Sequence, residues 1–563
     1  MSLPRPRLSL LAAATLLAAC ATVPFMPDRN ARAPQLDGFG TVNMATGITS
    51  PAARAWFEQG MAQAYGFNEA EAIRAFKAGL AQDPSCAMCA WGVAWQLGPN
   101  INATSRGNVK EALKYVDLAL RNAQGLSPRE RSLVESLALR YAHASESRNT
   151  APLQGAVCST GMSGDEKAHP LDIAYADKLR DLVDRYPEDP DLLAFYAEAE
   201  LVATRDDWWD SKTGKPAGRI GELADKLEAA LKRHPEHTGL NHYMIHATDA
   251  VQVAGRAVDA ADRLGRLAPK SPHLLHMPAH TYVQVGRYAD ATRVNQAAIA
   301  ADLSMAETLK AQKFEISKDW RGHNNHFQWY AALMEGRGDL ALQTARASAE
   351  QAKHDHEYFE YVRSLPILTL LRLERWDEVL KEPMPRGNQG VAIALGEMAK
   401  GMALARSGQA QAADEAQTRL DAAAEQLQKK HQGKGWVDRM TRGMARTAQV
   451  QLRAARAQAA GQAEQALKLQ AEAVEASAFV DSTEPPTLAA GTRLALAELQ
   501  LKAGQALDAE RSLRADLAEH PGSGWALRGL EKALRAQGKQ AEAQAMESLL
   551  ARTWPQADAG LRR

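Results

Sequence analysis

A spacing of 34 residues between small residues and helix-stopping prolines constrains this chain more than any other feature. With Pro84 set at position 32 of a repeat, Trp56 falls at 4, Gly60 at 8, Ala72 at 20 and Phe76 at 24. Positions 8 and 20 must be small because two helices cross there, and the proline ends the second helix. The frame recurs. Pro269 at 32 puts Ala257 at 20; the next repeat, from Pro272, puts Tyr282 at 11, Gly286 at 15 and Ala291 at 20. A repeat from Gly322 has Gly336 at 15 and Ala341 at 20; Pro521 at 32 gives Gly504 and Ala509, and one more step gives Gly538 and Ala543. A chain built this way stacks helical hairpins, each packing on its neighbours.

This signature resembles that of the tetratricopeptide repeat (TPR). It implies an all-α fold, a right-handed α-solenoid of helical hairpins. Aromatic residues make up 6% of the chain, and alanine abundance favours helix. Lys and Arg together number 67, as do Asp and Glu, so no electrostatic footprint for nucleic acid is expected.

The N-terminus carries a second signal. Arg5 and Arg7 precede an apolar run from Leu8 to Ala18, too short to span a bilayer, which ends in Leu17-Ala18-Ala19-Cys20. This resembles a bacterial lipobox and implies that Cys20 is acylated, as with palmitate, after removal of a signal peptide at 1–19. Ala21 follows, with no Asp to retain the protein at an inner membrane. The resemblance therefore implies an outer-membrane lipoprotein facing the periplasm, anchored by its lipid. Residues 20–48 read as a flexible tether, 49–350 as an N-terminal TPR array, 351–480 as degenerate helical repeats and 481–563 as a C-terminal TPR pair with a cap.

Candidate chemistry gathers mid-chain. His242 and His246, followed by Asp249, make one group; His273, His276 and His280 a second; His323 and His326 a third. In the repeat frame His242, His276 and His326 share position 5, while His246, His280 and Tyr330 share position 9. His273 and His323 share position 2, and Asp249 lies at 12. Resemblance to TPR proteins implies that positions 2, 5, 9 and 12 line a concave groove. Residues four apart on a helix share a face, so these imidazoles suit either a groove for a peptide, protein or small ligand, or a metal site. Zinc, copper or iron would accept imidazole with carboxylate. Groove binding is the leading expectation, and a metalloprotein or metalloenzyme the alternative. No catalytic residue is assigned, and whether the chain is an enzyme stays open at this point.

Cys86-Ala87-Met88-Cys89 opens a helix; in an oxidising compartment Cys86 and Cys89 are the expected pair, leaving Cys158 over. Trp208 and Trp209 are expected to plug the core, and about sixteen extra residues before Gly322 are expected to form a loop. Tyr65-Gly66-Phe67-Asn68, Cys86-Ala87-Met88-Cys89, Asn241–His246, His276-Met277-Pro278-Ala279-His280 and Glu484-Pro485-Pro486 resemble motifs of a widespread family of bacterial TPR lipoproteins. That resemblance implies the fold and a functional groove, and no reaction.

Overall fold

The computed structural model describes residues 28–102, 108–141, 168–204, 208–210, 213–316, 320–489 and 491–561. The expected signal peptide, Cys20 and Cys158 lie outside these residues.

Helices pair into antiparallel hairpins from Pro51–Tyr65 with Glu69–Gln82 to Gly524–Ala536 with Gln540–Thr553, and each packs chiefly on the next in sequence. The fold is an all-α, TPR-type solenoid. The frame accounts for its turns. Gly286, Gly336, Gly504 and Gly538, each at position 15, hold φ of +78°, +77°, +76° and +77°, the left-handed conformation that ends a helix. Gly408 and Gly461 do the same at +76° and +74° and close hairpins in the segment read as degenerate repeats. The small residues at the crossings are equally specific. A Cβ on Gly60 would lie 2.5 Å from the Phe76 ring, and one on Gly92 would lie 2.7 Å from it. Phe76 is thus clamped between two helices. No described helix is long and apolar enough to cross a membrane.

Three departures from expectation matter. Residues 28–48 are not a free tether: Phe39, Met44 and Ile48 are buried, Lys270 pairs with Asp37, and Gln35 exchanges hydrogen bonds with Gln312. Apolar residues in the segment find uncovered surface along the first hairpins. The insertion before Gly322 is loop only in its second part. It extends one helix to 24 residues, Tyr288–Ala311, whose distal Met305 and Leu309 pack on Phe39 and Ala62. The alanine-rich stretch continues the helical period, so lengthening the helix buries more than looping out would.

The third departure is closure. The last hairpins fold back onto the middle of the array. The Trp525 and Trp554 indoles donate to the carbonyls of Leu333 and Met334 at 3.0 and 2.8 Å, and the Asp558 amide donates to Gly336. One hydrophobic cluster accordingly joins Tyr288, Trp329 and Leu333 to Trp525, Trp554 and Ala557.

Candidate metal centre

Helix Thr238–Ala247 carries His242 and His246 one turn apart. Helices Pro272–His276 and Pro278–Gln284 carry His273, His276 and His280, and Arg321–Met334 carries His323. The structure sorts these six imidazoles into two groups whose nitrogens lie within 4.8 Å of one another: His242, His246 and His273; and His276, His280 and His323. Each group takes positions 5 and 9 of one repeat and position 2 of the next. The repeat therefore builds the same triad twice. Sequence neighbours are split in the process, for His273 joins the first triad and His323 completes the second. His246 and His280 ring centroids are 6.4 Å apart, and those of His273 and His276 6.3 Å, so the triads adjoin.

Hydrogen bonds fix which nitrogen of several rings faces inward. His242 Nδ1 is 2.7 Å from the Tyr65 carbonyl, which can only accept, so Nδ1 carries the proton. His276 Nδ1 is 2.7 Å from Asn295 Oδ1, and the Asn295 amide is oriented by its own bond to the Ala291 carbonyl. His280 Nδ1 is 2.8 Å from the Asp249 carboxylate. The Nε2 atoms of His242, His276 and His280 are thus left to face their neighbours. His242 Nε2 lies 3.1 Å from both His246 Nε2 and His273 Nε2; His276 Nε2 and His280 Nε2 are also 3.1 Å apart. His323 Nε2 is buried with no hydrogen-bond partner among the described residues. Burial holds His242 at about 3 and His246, His276 and His323 well below the usual imidazole value, which favours neutral rings.

With Asp249 ionised, the Nδ1 protons of His276 and His280 are committed, and their facing Nε2 atoms present two lone pairs to each other. Only a cation or an extra proton between them turns that repulsion into attraction. Ligand nitrogens about 2.0–2.1 Å from a tetrahedral zinc stand about 3.3 Å from each other, close to the spacing here. Imidazoles whose second nitrogen donates to a carboxylate, amide or carbonyl have the outer hydrogen bonds typical of metal ligands.

Aromatic rings floor both triads. Phe67 lies 4.5, 5.6 and 5.0 Å from His242, His246 and His273; Phe327 lies 4.8, 4.5 and 5.0 Å from His276, His280 and His323. Phe67 occupies position 15 of the first repeat, where other repeats carry glycine, and holds φ of +50°. A bulky side chain in that region costs on the order of 1–3 kcal/mol and is characteristic of a built site.

A third group forms beside the second triad. Glu484, from far along the chain, brings a carboxylate oxygen 3.4 Å from His280 Nδ1, next to Asp249. Burial raises Asp249 to about 7 and Glu484 to about 8, with Asp249 itself adding to the rise at Glu484. These groups open onto a cavity of about 1020 Å³ whose wall includes Trp208, Trp209, Phe327, Tyr330 and Arg372.

Several sequence expectations are corrected. Positions 2, 5, 9 and 12 do not line an open groove: the eight residues His242, His246, Asp249, His273, His276, His280, His323 and His326 are all buried, as is Tyr330. Phe67, Trp208, Trp320 and Phe327 pack over them. His326 joins neither triad; its Nε2 meets the Tyr361 hydroxyl at 2.7 Å and its ring stacks on Trp329. Tyr330 belongs to the cavity wall. Trp208 and Trp209 are buried, and Trp209 donates to the Ala247 carbonyl. Cys86 and Cys89 are joined by a disulfide that opens the helix Ala87–Gln96, remote from the triads in sequence. Sequence reasoning passed over Tyr65, Phe67, Asn295, Trp320 and Glu484 as site residues. The displaced glycine at position 15 pointed to Phe67, and the motifs at 65–68 and 484–486 already contained Tyr65, Phe67 and Glu484.

Acid is expected to act on the metal-free protein in two opposite senses: its buried histidines lose stability, while the raised Asp249 and Glu484 carboxyls gain it. His242 and His326 sit at about 3 when folded against about 6.5 when unfolded. Below pH 6.5 the unfolded chain takes up protons first. The stabilisation is complete above that pH and is lost as pH falls toward 3, at about 1.4 kcal/mol per pH unit for each such histidine. Urea midpoints of the chelated wild-type protein and of His326→Gln at pH 7.5 and 5.0 check the histidine share; the same pH dependence in both would refute it.

The chain matches no protein-family model and no curated protein. Among solved structures it is similar to a human IFIT1 dimer with m7Gppp-AAAA, at 13% identity and TM-score 0.32 over 79% of this chain and 86% of that one. It is also similar to the APC/C hetero-tetramer Cut9-Hcn1, at 13% and 0.25 over 86% and 90%. A third is the P58(IPK) TPR domain, at 12% and 0.20 over 86% and 98%. The fold assignment rests on the hairpins themselves.

Proposed function

We propose that this protein is a TPR-solenoid metalloprotein that holds two transition-metal ions in adjacent three-histidine sites, one at His242, His246 and His273 and the other at His276, His280 and His323. The observation that carries this reading is the facing of the His276 and His280 Nε2 atoms at 3.1 Å while Asn295 and Asp249 hold their Nδ1 protons. Neutral imidazoles with carboxylate in the outer shell suit zinc, copper or iron. Three protein ligands leave a coordination position open, the arrangement of catalytic rather than closed structural sites. A metal there supplies Lewis acidity, an activated water or, for copper and iron, electron transfer. Asp249 orients the His280 ring. Glu484 places a second carboxyl where a ligand in the cavity would meet it.

The N-terminal run that ends in Leu17-Ala18-Ala19-Cys20 resembles a lipobox and supports a lipid anchor. We infer a lipoprotein acylated at Cys20 and held at the outer membrane on its periplasmic side, within the family of bacterial TPR lipoproteins that the motifs resemble. A second reading, a scaffold that binds a peptide or protein, is favoured by the cavity; a co-purifying partner lost on changing Tyr330 would support it.

Elemental analysis of the purified full-length protein tests the metal reading. About two ions per chain are expected, and about one in His246→Ala or in His323→Ala. Protein that stays metal-free after reconstitution with zinc, copper and ferrous iron would overturn it.

A further inference from the structure

The two triads differ in what they face. Of the six imidazoles, only His280 lines the cavity of about 1020 Å³. The first triad is covered: Phe67 floors it, Trp208 stands edge-on to His246 at 6.2 Å, and Trp320 lies over His273 at 4.2 Å. An ion in the second triad is therefore the one a ligand can approach.

The other end of the cavity holds Arg372. Its guanidinium lies 4.1 Å over the Trp525 ring and has no hydrogen bond or ion pair to any described residue. Burial lowers it to about 10. Other charges of the wall are answered locally. Arg493 pairs with Glu519 at 2.7 Å, His520 lies 3.5 Å from Asp516, and burial raises the Asp481 carboxyl to about 6. A guanidinium presents a planar fork of donors that matches a carboxylate, and this one is half-buried at the cavity wall.

Helix Arg321–Met334 measures the distance between these ends. The Phe327 ring rests on His280 at 4.5 Å, Tyr330 follows one turn on, and the Leu333 carbonyl receives the indole of Trp525, on which Arg372 lies. Six residues of helix rise about 9 Å. Trp208, Phe327, Tyr330 and Met334 supply the apolar part of the wall. The volume suits a small organic ligand.

We propose that this cavity binds a monocarboxylate with an apolar body about 9 Å long, its carboxylate on Arg372 and its far end at the ion held by His276, His280 and His323. The inference rests on the metal reading for that far end, and on Arg372 for the near one.

Full-length protein loaded with Co(II) would be titrated with 4-phenylbutyrate, hexanoate and hexylamine, following tryptophan fluorescence and the cobalt visible bands. The two carboxylates are expected to bind and to perturb the cobalt bands; hexylamine is expected not to bind. Arg372→Gln should weaken carboxylate binding at least tenfold, with Arg372→Lys recovering part of it. Unchanged affinity in Arg372→Gln, or binding of hexylamine instead of the carboxylates, would overturn the proposal; the latter would make Asp481 and Asp516 a cation site. Carboxylate binding that leaves the cobalt bands unmoved would overturn the placement of the far end. If no cobalt is taken up, the metal reading fails. The fluorescence titration of the metal-free protein then still decides the Arg372 end.

Discussion

Adding zinc to the chelated protein is expected to raise its free energy of unfolding by about 5 kcal/mol. Each site contributes RT ln(1 + [L]/Kd), about 2.7 kcal/mol at a hundredfold excess over Kd. Two triads on neighbouring hairpins give about twice that. The gain should be large because the metal-free state is poorly satisfied in the second triad: facing His276 and His280 nitrogens at 3.1 Å, and a buried His323 Nε2 without a partner among the described residues. His246→Ala should roughly halve the gain and leave the second site's share, and His276→Ala should do the reverse. Differential scanning calorimetry with and without zinc reads this directly. A gain unaffected by either substitution would place the zinc elsewhere and remove the triads as its ligands.

Gly286→Ala is expected to destabilise the fold by about 3 kcal/mol or more, and Gly504→Ala by about 1 kcal/mol. Both glycines close a hairpin at position 15 with nearly the same φ, +78° and +76°, so both substitutions bear the strain of a left-handed alanine. Their surroundings differ. A Cβ at Gly504 would meet nothing within 4 Å, whereas one at Gly286 would stand 2.3 Å from the Pro521 carbonyl oxygen and 2.7 Å from its carbon. Those are backbone atoms and cannot rotate away. The difference between the two variants isolates the seam where the last hairpins return to the middle of the array. Urea titrations of both provide the comparison. Equal losses would show that the seam does not depend on this contact. An open seam should also weaken ligand binding in the cavity, because Arg372 and Trp525 are presented across it.

The hairpins were legible because their causes are local. Small residues recur where helices cross, glycines recur where the chain turns left-handed, and prolines recur where helices stop. The histidines were legible as a set for the same reason: positions 2, 5 and 9 repeat with the frame. How they divide was not. A helical face shows that His273, His276 and His280 belong to one neighbourhood, but it cannot show that His273 turns back to His242 and His276 forward to His323. Nor could the frame show that the supposed groove is covered, because Phe67, Trp208 and Trp320 come from other hairpins and connections.

The repeat frame read from sequence carries the solenoid, the turns and a set of seven histidines that contains the six of the triads, since each follows from contacts within one repeat or between adjacent ones; His326 fell in the set and joined neither triad. Tertiary structure alone decided that the array closes. That closure carries Glu484 to His280 and presents Arg372 across the cavity from the second triad. The physical reason is separation. Trp525 and Leu333 are 192 residues apart, and Glu484 and His280 are brought together only when the apolar faces of the last hairpins find the uncovered flank of the middle ones. No local period records a contact of that range.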